Sequence, residues 1–166
     1  MDNLYLDSSA VVKYYVPETG SAWVRELIDA QADEQKWEHE ISISQLTVVE
    51  VAAAVEKRRR MKGISQRHRV RTLARFGIDY RQRYTIVRVS DSIVEWAVDL
   101  TSHHPLRAYD AVQLATALRL NQVLRENRLP PLAFVSADET LCQAAEAEGL
   151  AAVNPNELGD ESPVDQ

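Results

Sequence analysis

Short apolar runs alternate along this chain with longer segments of helical period, and that alternation constrains the fold more than any other feature. Asn3-Leu4-Tyr5-Leu6 is apolar and ends at Asp7, which reads as a buried strand with an acid at its C-terminal end. Ser8 or Ser9 can cap a helix through Tyr15, and Pro17 stops it. Residues 19–30 have a helical face built on Trp23, Leu27 and Ala30, while the polar segment 31–40 reads as a loop. Strands are expected at 40–44, 85–89, 132–135 and 150–153. Helices are expected at 45–60, 65–84, 91–101, 107–127 and 139–148. The helix from Arg107 carries an i, i+3, i+4, i+7 stripe of Ala111, Leu114, Ala115 and Leu118. Strand–helix alternation with apolar strands predicts an α/β domain of three layers, with helices on both faces of a mainly parallel sheet. A chain of 166 residues suits one such domain, expected over 1–154. Residues 155–166 carry Glu157, Asp160, Glu161 and Asp165 and no base, and are expected to form an acidic, solvated tail.

Several function classes are excluded at this level. The single cysteine, Cys142, allows neither a disulfide framework nor a cysteine-based zinc cluster, and is expected to be a packing residue. His39, His68, His103 and His104 are scattered without metal-ligand spacing. Neither GxGxxG nor GxxxxGK[ST] occurs, so the common nucleotide-phosphate loops are absent. The N-terminus has no basic segment followed by an apolar run, and no stretch has the length of a membrane span, so a cytoplasmic protein is expected. Net charge is −6, which on its face argues against nucleic acid as a partner. The distribution reverses that inference. Residues 56–88 hold 12 Lys and Arg against two acids, a block of +10, and the remainder holds 7 against 23, or −16. A basic helical pair on an acidic domain is a candidate surface for phosphate or for an acidic partner, with a solvated helix face as the plain alternative. Arg58, Arg59 and Arg60 are its densest part.

In parallel α/β sheets ligands bind beyond the carboxyl ends of the strands, so the acids there are the informative ones. Asp7 follows the first strand directly, and Asp138 follows the strand 132–135 after Ser136-Ala137. Glu50 lies early in the helix after the second strand, and Asp110 lies in the first turn of the helix from Arg107. Each has a plain structural role as well: Asp7 as a helix cap, Asp110 and Asp138 as first-turn acids, Ser136 and Glu139 as a capping box. Glu50 fits such a role least, because it interrupts the apolar stretch Leu46–Val55. Four carboxylates brought together cannot all stay ionised without a cation. An oxygen-only donor set suits Mg²⁺ or Mn²⁺ rather than zinc, and such a centre can activate water against a phosphodiester. Ser9, two residues after Asp7, is a candidate supporting hydroxyl.

Four segments in order resemble the PIN-domain ribonucleases, and more narrowly the VapC-type toxins of bacterial toxin–antitoxin pairs. They are LYLDSSAVVKYYVPE at 4–18, LTVVEVAAAVEKR at 46–58, RAYDAVQLATAL at 107–118 and FVSADETLCQAAEAEGLAAVNP at 134–155. The resemblance implies a five-stranded parallel sheet flanked by helices and a Mg²⁺- or Mn²⁺-dependent endoribonuclease. The family's acids fall on Asp7, Glu50, Asp110 and Asp138, and its first-motif hydroxyl falls on Ser9. It also implies a homodimer and a cognate antitoxin that covers the active-site groove. Glu139 beside Asp138 leaves open which of the two approaches the metal, with Asp138 favoured by its position after the strand. The alternative is a catalytically silent RNA- or protein-binding module on the same fold. An aspartate-nucleophile phosphatase would need DxD after the first strand, where this chain has Asp7-Ser8-Ser9.

Overall fold

The first strand, β1 (Asp2–Leu6), divides its side chains by the two-residue period of a strand: Leu4 and Leu6 enter one core and Tyr5 the other. The structure, a computed structural model, describes residues 2–34 and 36–158. β1 is the middle of five parallel strands. On one side lie β4 (His39–Ser44) and then β5 (Thr85–Val87); on the other lie β6 (Leu132–Val135) and then β7 (Ala151–Val153). The chain fills one side of β1 first and then crosses to the other. The topological switch therefore falls between β1 and β6, where a crevice opens at the carboxyl ends of the strands.

The helices cover both faces. On the Leu4 and Leu6 face, α1 (Ser8–Tyr15), α2 (Ser21–Asp29), α3 (Thr47–Arg60) and α4 (Gln66–Gln82) contribute Val11, Val24, Ile28, Val51, Val55 and Phe76. On the Tyr5 face, α5 (Asp91–His103), α6 (Ala108–Glu126) and α7 (Glu139–Ala147) contribute Ile93, Leu100, Leu114, Leu118 and Leu141. There Tyr5 and Phe134 stack with ring centroids 5.7 Å apart. The expected three-layer α/β/α architecture with a five-stranded parallel sheet is the observed one. Among the described residues no helix is long and apolar enough to cross a membrane.

Three local expectations need correction. The polar segment 31–40 is not a loop: β2 (Gln31–Asp33) and β3 (Lys36–Trp37) pair as an antiparallel hairpin, and β4 already begins at His39. Its side chains are exposed, so no apolar alternation marks it. Its Trp37 is instead covered by Arg83, whose guanidinium carbon lies 4.3 Å from the ring centroid. The helix expected from Gln45 starts at Thr47, because the Gln45 N–H still donates to the Val87 carbonyl at 2.9 Å and extends the sheet. Pro155, where a solvated tail is expected to begin, is itself part of the fold. Pro155–Glu157 form a 3₁₀ turn with Pro155 buried, while residues 159–166 lie outside the described residues.

That turn rests on Gly20, the N-cap of α2, whose φ is +79° and whose ideal Cβ would lie 2.5 Å from the Pro155 carbonyl oxygen. Both the backbone and the neighbour therefore demand glycine. Gly20→Ala is expected to cost about 2 kcal/mol or more in chemical denaturation. Gly77, inside α4 with nothing within 4 Å of an added Cβ, is the opposite case. Gly77→Ala is expected to add about 0.5–1 kcal/mol.

Candidate active site

Asp7 leaves the end of β1 and turns into α1, and its side chain is nearly sealed from solvent at 3% exposure. The register explains its neighbours. The Asp7 N–H donates to the Val135 carbonyl at 3.0 Å, so the residue after β1 sits beside the residue after β6. Ser136 Oγ then donates to Asp7 Oδ2 at 2.9 Å, and Ser9 Oγ reaches both carboxylate oxygens at 2.7 and 2.9 Å. The Ala10 N–H donates to Oδ1 at 2.9 Å, which makes Asp7 the N-cap of α1, the plain structural role open to it, rather than Ser8 or Ser9. The Ser9 hydroxyl also accepts the Ala137 N–H at 2.8 Å. Ser9 is thus a clamp between the two strand ends, with its hydroxyl committed to protein partners. Burial raises the Asp7 carboxyl to about 6; the Ser9, Ala10 and Ser136 hydrogen bonds pull it back down in part, and Glu50 adds to the rise.

Asp7, Ser9, Glu50, Asp110 and Asp138 line one groove of about 300 Å³ with Ser8, Val12, Glu18 and Ala54. Glu50 is half-buried near the start of α3. The apolar stretch around it is only partly buried: Val51 and Val55 enter the core, while Val48 and Val49 are exposed. Its carboxylate is held by Gln113, whose Nε2 donates to Oε2 at 2.7 Å. Gln113 Oε1 accepts the hydroxyl of buried Tyr5 at 2.6 Å. Gln113 is 1% exposed and lies on α6, one turn after Asp110. Asp110 is raised above the usual carboxylate range, by burial first and then by the charge of Asp138, against the pull of Arg107. Asp138 caps α7, its Oδ1 accepting the Leu141 N–H at 2.9 Å, and it remains exposed at the groove's rim. Glu139 faces elsewhere, accepting Gln143 Nε2 at 3.1 Å.

The basic block is divided by its contacts. Arg59 and Arg69 both bind Glu56, Arg75 binds Asp79, and Arg60 is exposed at the end of α3. Arg58 alone of the three expected contact residues turns toward the groove, its Nη2 donating to Glu18 Oε2 at 2.9 Å. Cys142 is buried, donates its thiol to the Ser136 carbonyl, and is pushed up to about 12, first by burial. That is the packing role expected of it.

Sequence reasoning missed Ser136 as a partner of Asp7, Gln113 as the holder of Glu50, and Glu18 as a groove residue. All three contacts span long sequence separations. The one local clue was that Gln113 interrupts the apolar stripe of α6.

The chemistry of the donor set fits a hard divalent cation: every candidate ligand is a carboxylate oxygen, and Asp7 carries a charge that its surroundings resist. Among the described residues, no three Asp, Glu, His or Cys side chains stand close enough together to hold one ion directly.

The raised Asp7 group makes a prediction for the metal-free protein. Its folded value of about 6 lies above the ordinary 3.8, so the folded state resists ionisation more than the unfolded chain does. This term is absent below about pH 4, grows as pH rises, and is complete above about 6, where it costs on the order of 3 kcal/mol. Asp7→Asn is therefore expected to raise Tm more at pH 7.5 than at pH 4.5 in EDTA. An equal difference at both values would contradict it.

The sequence matches the PIN domain family over residues 4–147. No curated protein matches it. Solved structures are similar to it as well. A toxin–antitoxin complex from Klebsiella pneumoniae is 17% identical, with 92% of this chain and 97% of that chain covered and a TM-score of 0.55. VapBC2 from Rickettsia felis, bound to a DNA fragment from their promoter, is 14% identical, with 92% and 98% covered and a TM-score of 0.57. Mycobacterium tuberculosis VapC20, a Sarcin-Ricin loop cleaving toxin, is 15% identical, with 92% and 99% covered and a TM-score of 0.59. At these identities the likeness is one of fold, and it agrees with the family match: the chain belongs to the PIN-domain family.

Proposed function

We propose that this protein is a Mg²⁺- or Mn²⁺-dependent endoribonuclease acting in the cytoplasm, the toxin of a toxin–antitoxin pair. The observation that carries the reading is the single groove at the sheet's switch point, lined by Asp7, Glu50, Asp110 and Asp138. Such a donor set has little use in a silent binding module, since the carboxyls of Asp7 and Asp110 are both held above their ordinary range there, first by burial. A divalent ion bound there would neutralise the phosphodiester and ease deprotonation of the attacking water. Asp7 and Asp110 are the ligands proposed for it, with Glu50 and Asp138 completing the set through water. Ser9 and Ser136 orient the Asp7 carboxylate toward the groove, and Gln113 fixes that of Glu50. Glu50 and Asp138, less buried than Asp7, are the groups proposed to accept a proton from water.

The toxin–antitoxin assemblies among the structural relatives support a cognate antitoxin as partner, and VapC20 supports RNA as substrate. A homodimer is proposed on the family resemblance.

Purified protein freed of any partner is expected to cleave RNA with Mg²⁺ or Mn²⁺ and to stop in EDTA. Asp7→Asn and Asp110→Asn should fall to the EDTA level with circular dichroism unchanged, and Mn²⁺ should raise Tm of the wild type but not of either variant. Wild-type rates in both variants would remove the site assignment. A well-folded wild type that cleaves no RNA would favour the silent module. Gln113→Leu keeps the core filled but frees Glu50, and is expected to lose about 10- to 100-fold in activity or metal affinity. Titration by Mn²⁺-dependent Tm shift checks the second quantity.

A further inference from the structure

The carboxylate groove does not end at Glu18. A second depression of about 350 Å³ shares Val12, Glu18 and Ala54 with it and adds Lys57, Arg58 and Met61. The two form one channel with acids at one end and cations at the other. Helix geometry builds this polarity. Glu50, Ala54, Lys57 and Arg58 recur at three- and four-residue spacing along α3, and Met61 is the C-cap that follows it. One helix face thus runs from an acid of the site to a cation roughly 12 Å further along the axis.

Arg58 is fixed where it stands. Glu18 Oε2 accepts its Nη2 at 2.9 Å, and Glu18 Oε1 accepts Lys13 Nζ at 3.1 Å. Lys13 is only 3% exposed and also donates to the Thr19 carbonyl at 2.7 Å. Glu18 is therefore already neutralised by a buried lysine. Arg58 keeps most of its N–H donors for another acceptor. Lys57, exposed beside it, forms no ion pair among the described residues. Met61, 71% exposed, puts an apolar surface at the outer rim. Arg59, tied to Glu56, has no part in the channel.

We infer that this annex is a nucleotide subsite: Lys57 and Arg58 take the phosphate neighbouring the scissile one along a single RNA strand, and Met61 meets the attached ribose or base. The inference rests on the nuclease reading above. It favours a nucleic-acid strand over an acidic peptide because the channel is continuous with the carboxylate end, where a peptide carboxylate would be repelled and a phosphodiester bridged by a cation would not. It also makes the substrate more than a dinucleotide, since a phosphate beyond the cleaved bond is part of what is recognised.

The test is steady-state cleavage of a labelled oligoribonucleotide by the full chain with Mg²⁺. Lys57→Gln and Arg58→Gln are each expected to raise KM about tenfold with kcat little changed, and to flatten the dependence of log kcat/KM on log salt by about 0.7. Arg58→Lys should recover part of the loss, and Arg125→Gln, on α6, should leave both parameters unchanged. Replacing the flanking phosphate by a neutral methylphosphonate should reproduce the KM rise in the wild type. It should add nothing in the Lys57→Gln, Arg58→Gln double variant. Variants that behave like Arg125→Gln, or that weaken only the binding of a protein partner, overturn the subsite. If the wild type cleaves no RNA, the nuclease reading fails separately. Equilibrium binding of the same oligonucleotide then decides the subsite: a raised Kd in the two variants supports it, and an unchanged Kd overturns it.

Discussion

A single buried carboxylate holds the business end of this domain together. Asp7 caps the first helix, accepts hydroxyls from Ser9 and Ser136, and follows directly on the backbone bond that joins the ends of β1 and β6. Ser136 and Ser9 tie the two strand ends together beyond the backbone ladder and fix the Asp7 carboxylate at the switch point. The same enclosure raises the carboxyl to about 6. The fold thus spends stability at the place where a positive charge is wanted, the pattern expected where a site is kept for chemistry rather than for packing.

The two cores are joined chemically at this point as well as sterically. Tyr5 belongs to the core under α5, α6 and α7, whereas Glu50 stands on α3, whose buried face belongs to the other core. Gln113 spans them, accepting a hydrogen bond from the Tyr5 hydroxyl and donating one to the Glu50 carboxylate. One amide therefore sets the rotamer of a groove acid by reference to the opposite layer. Displacing α6 relative to α3 would be felt at the carboxylates before it was felt in either apolar cluster.

Much of this was legible in the sequence because it is written locally. Leu4-Tyr5-Leu6-Asp7 announces a strand and the acid at its end, and the stripe after Asp110 announces a buried helix beginning with an acid. Four such local statements, each weak, agree with one parallel sheet and place the acids at one edge of it. The features that were not legible are those settled by long-range contact or by the absence of a pattern. Ser136 reads as a capping residue until β6 is set beside β1. Glu18 reads as a loop acid until Lys13 and Arg58 close on it. The β2–β3 hairpin has no apolar face to betray it, and Pro155 looks like the start of a tail until it meets Gly20.

Charge is segregated along the chain, with Lys and Arg concentrated from Lys57 to Arg88, mostly on α3 and α4, and the remaining parts acidic. Near any polyanion such a body is turned before it is touched. The basic helices are drawn in and the acidic surfaces are pushed outward, so rotational search is shortened and encounter is fastest at low ionic strength. The channel shared by Arg58 and Glu50 lies at the border between the two halves. On the proposed nuclease reading, a strand that arrived on the basic side would meet the carboxylates only after it had already been aligned.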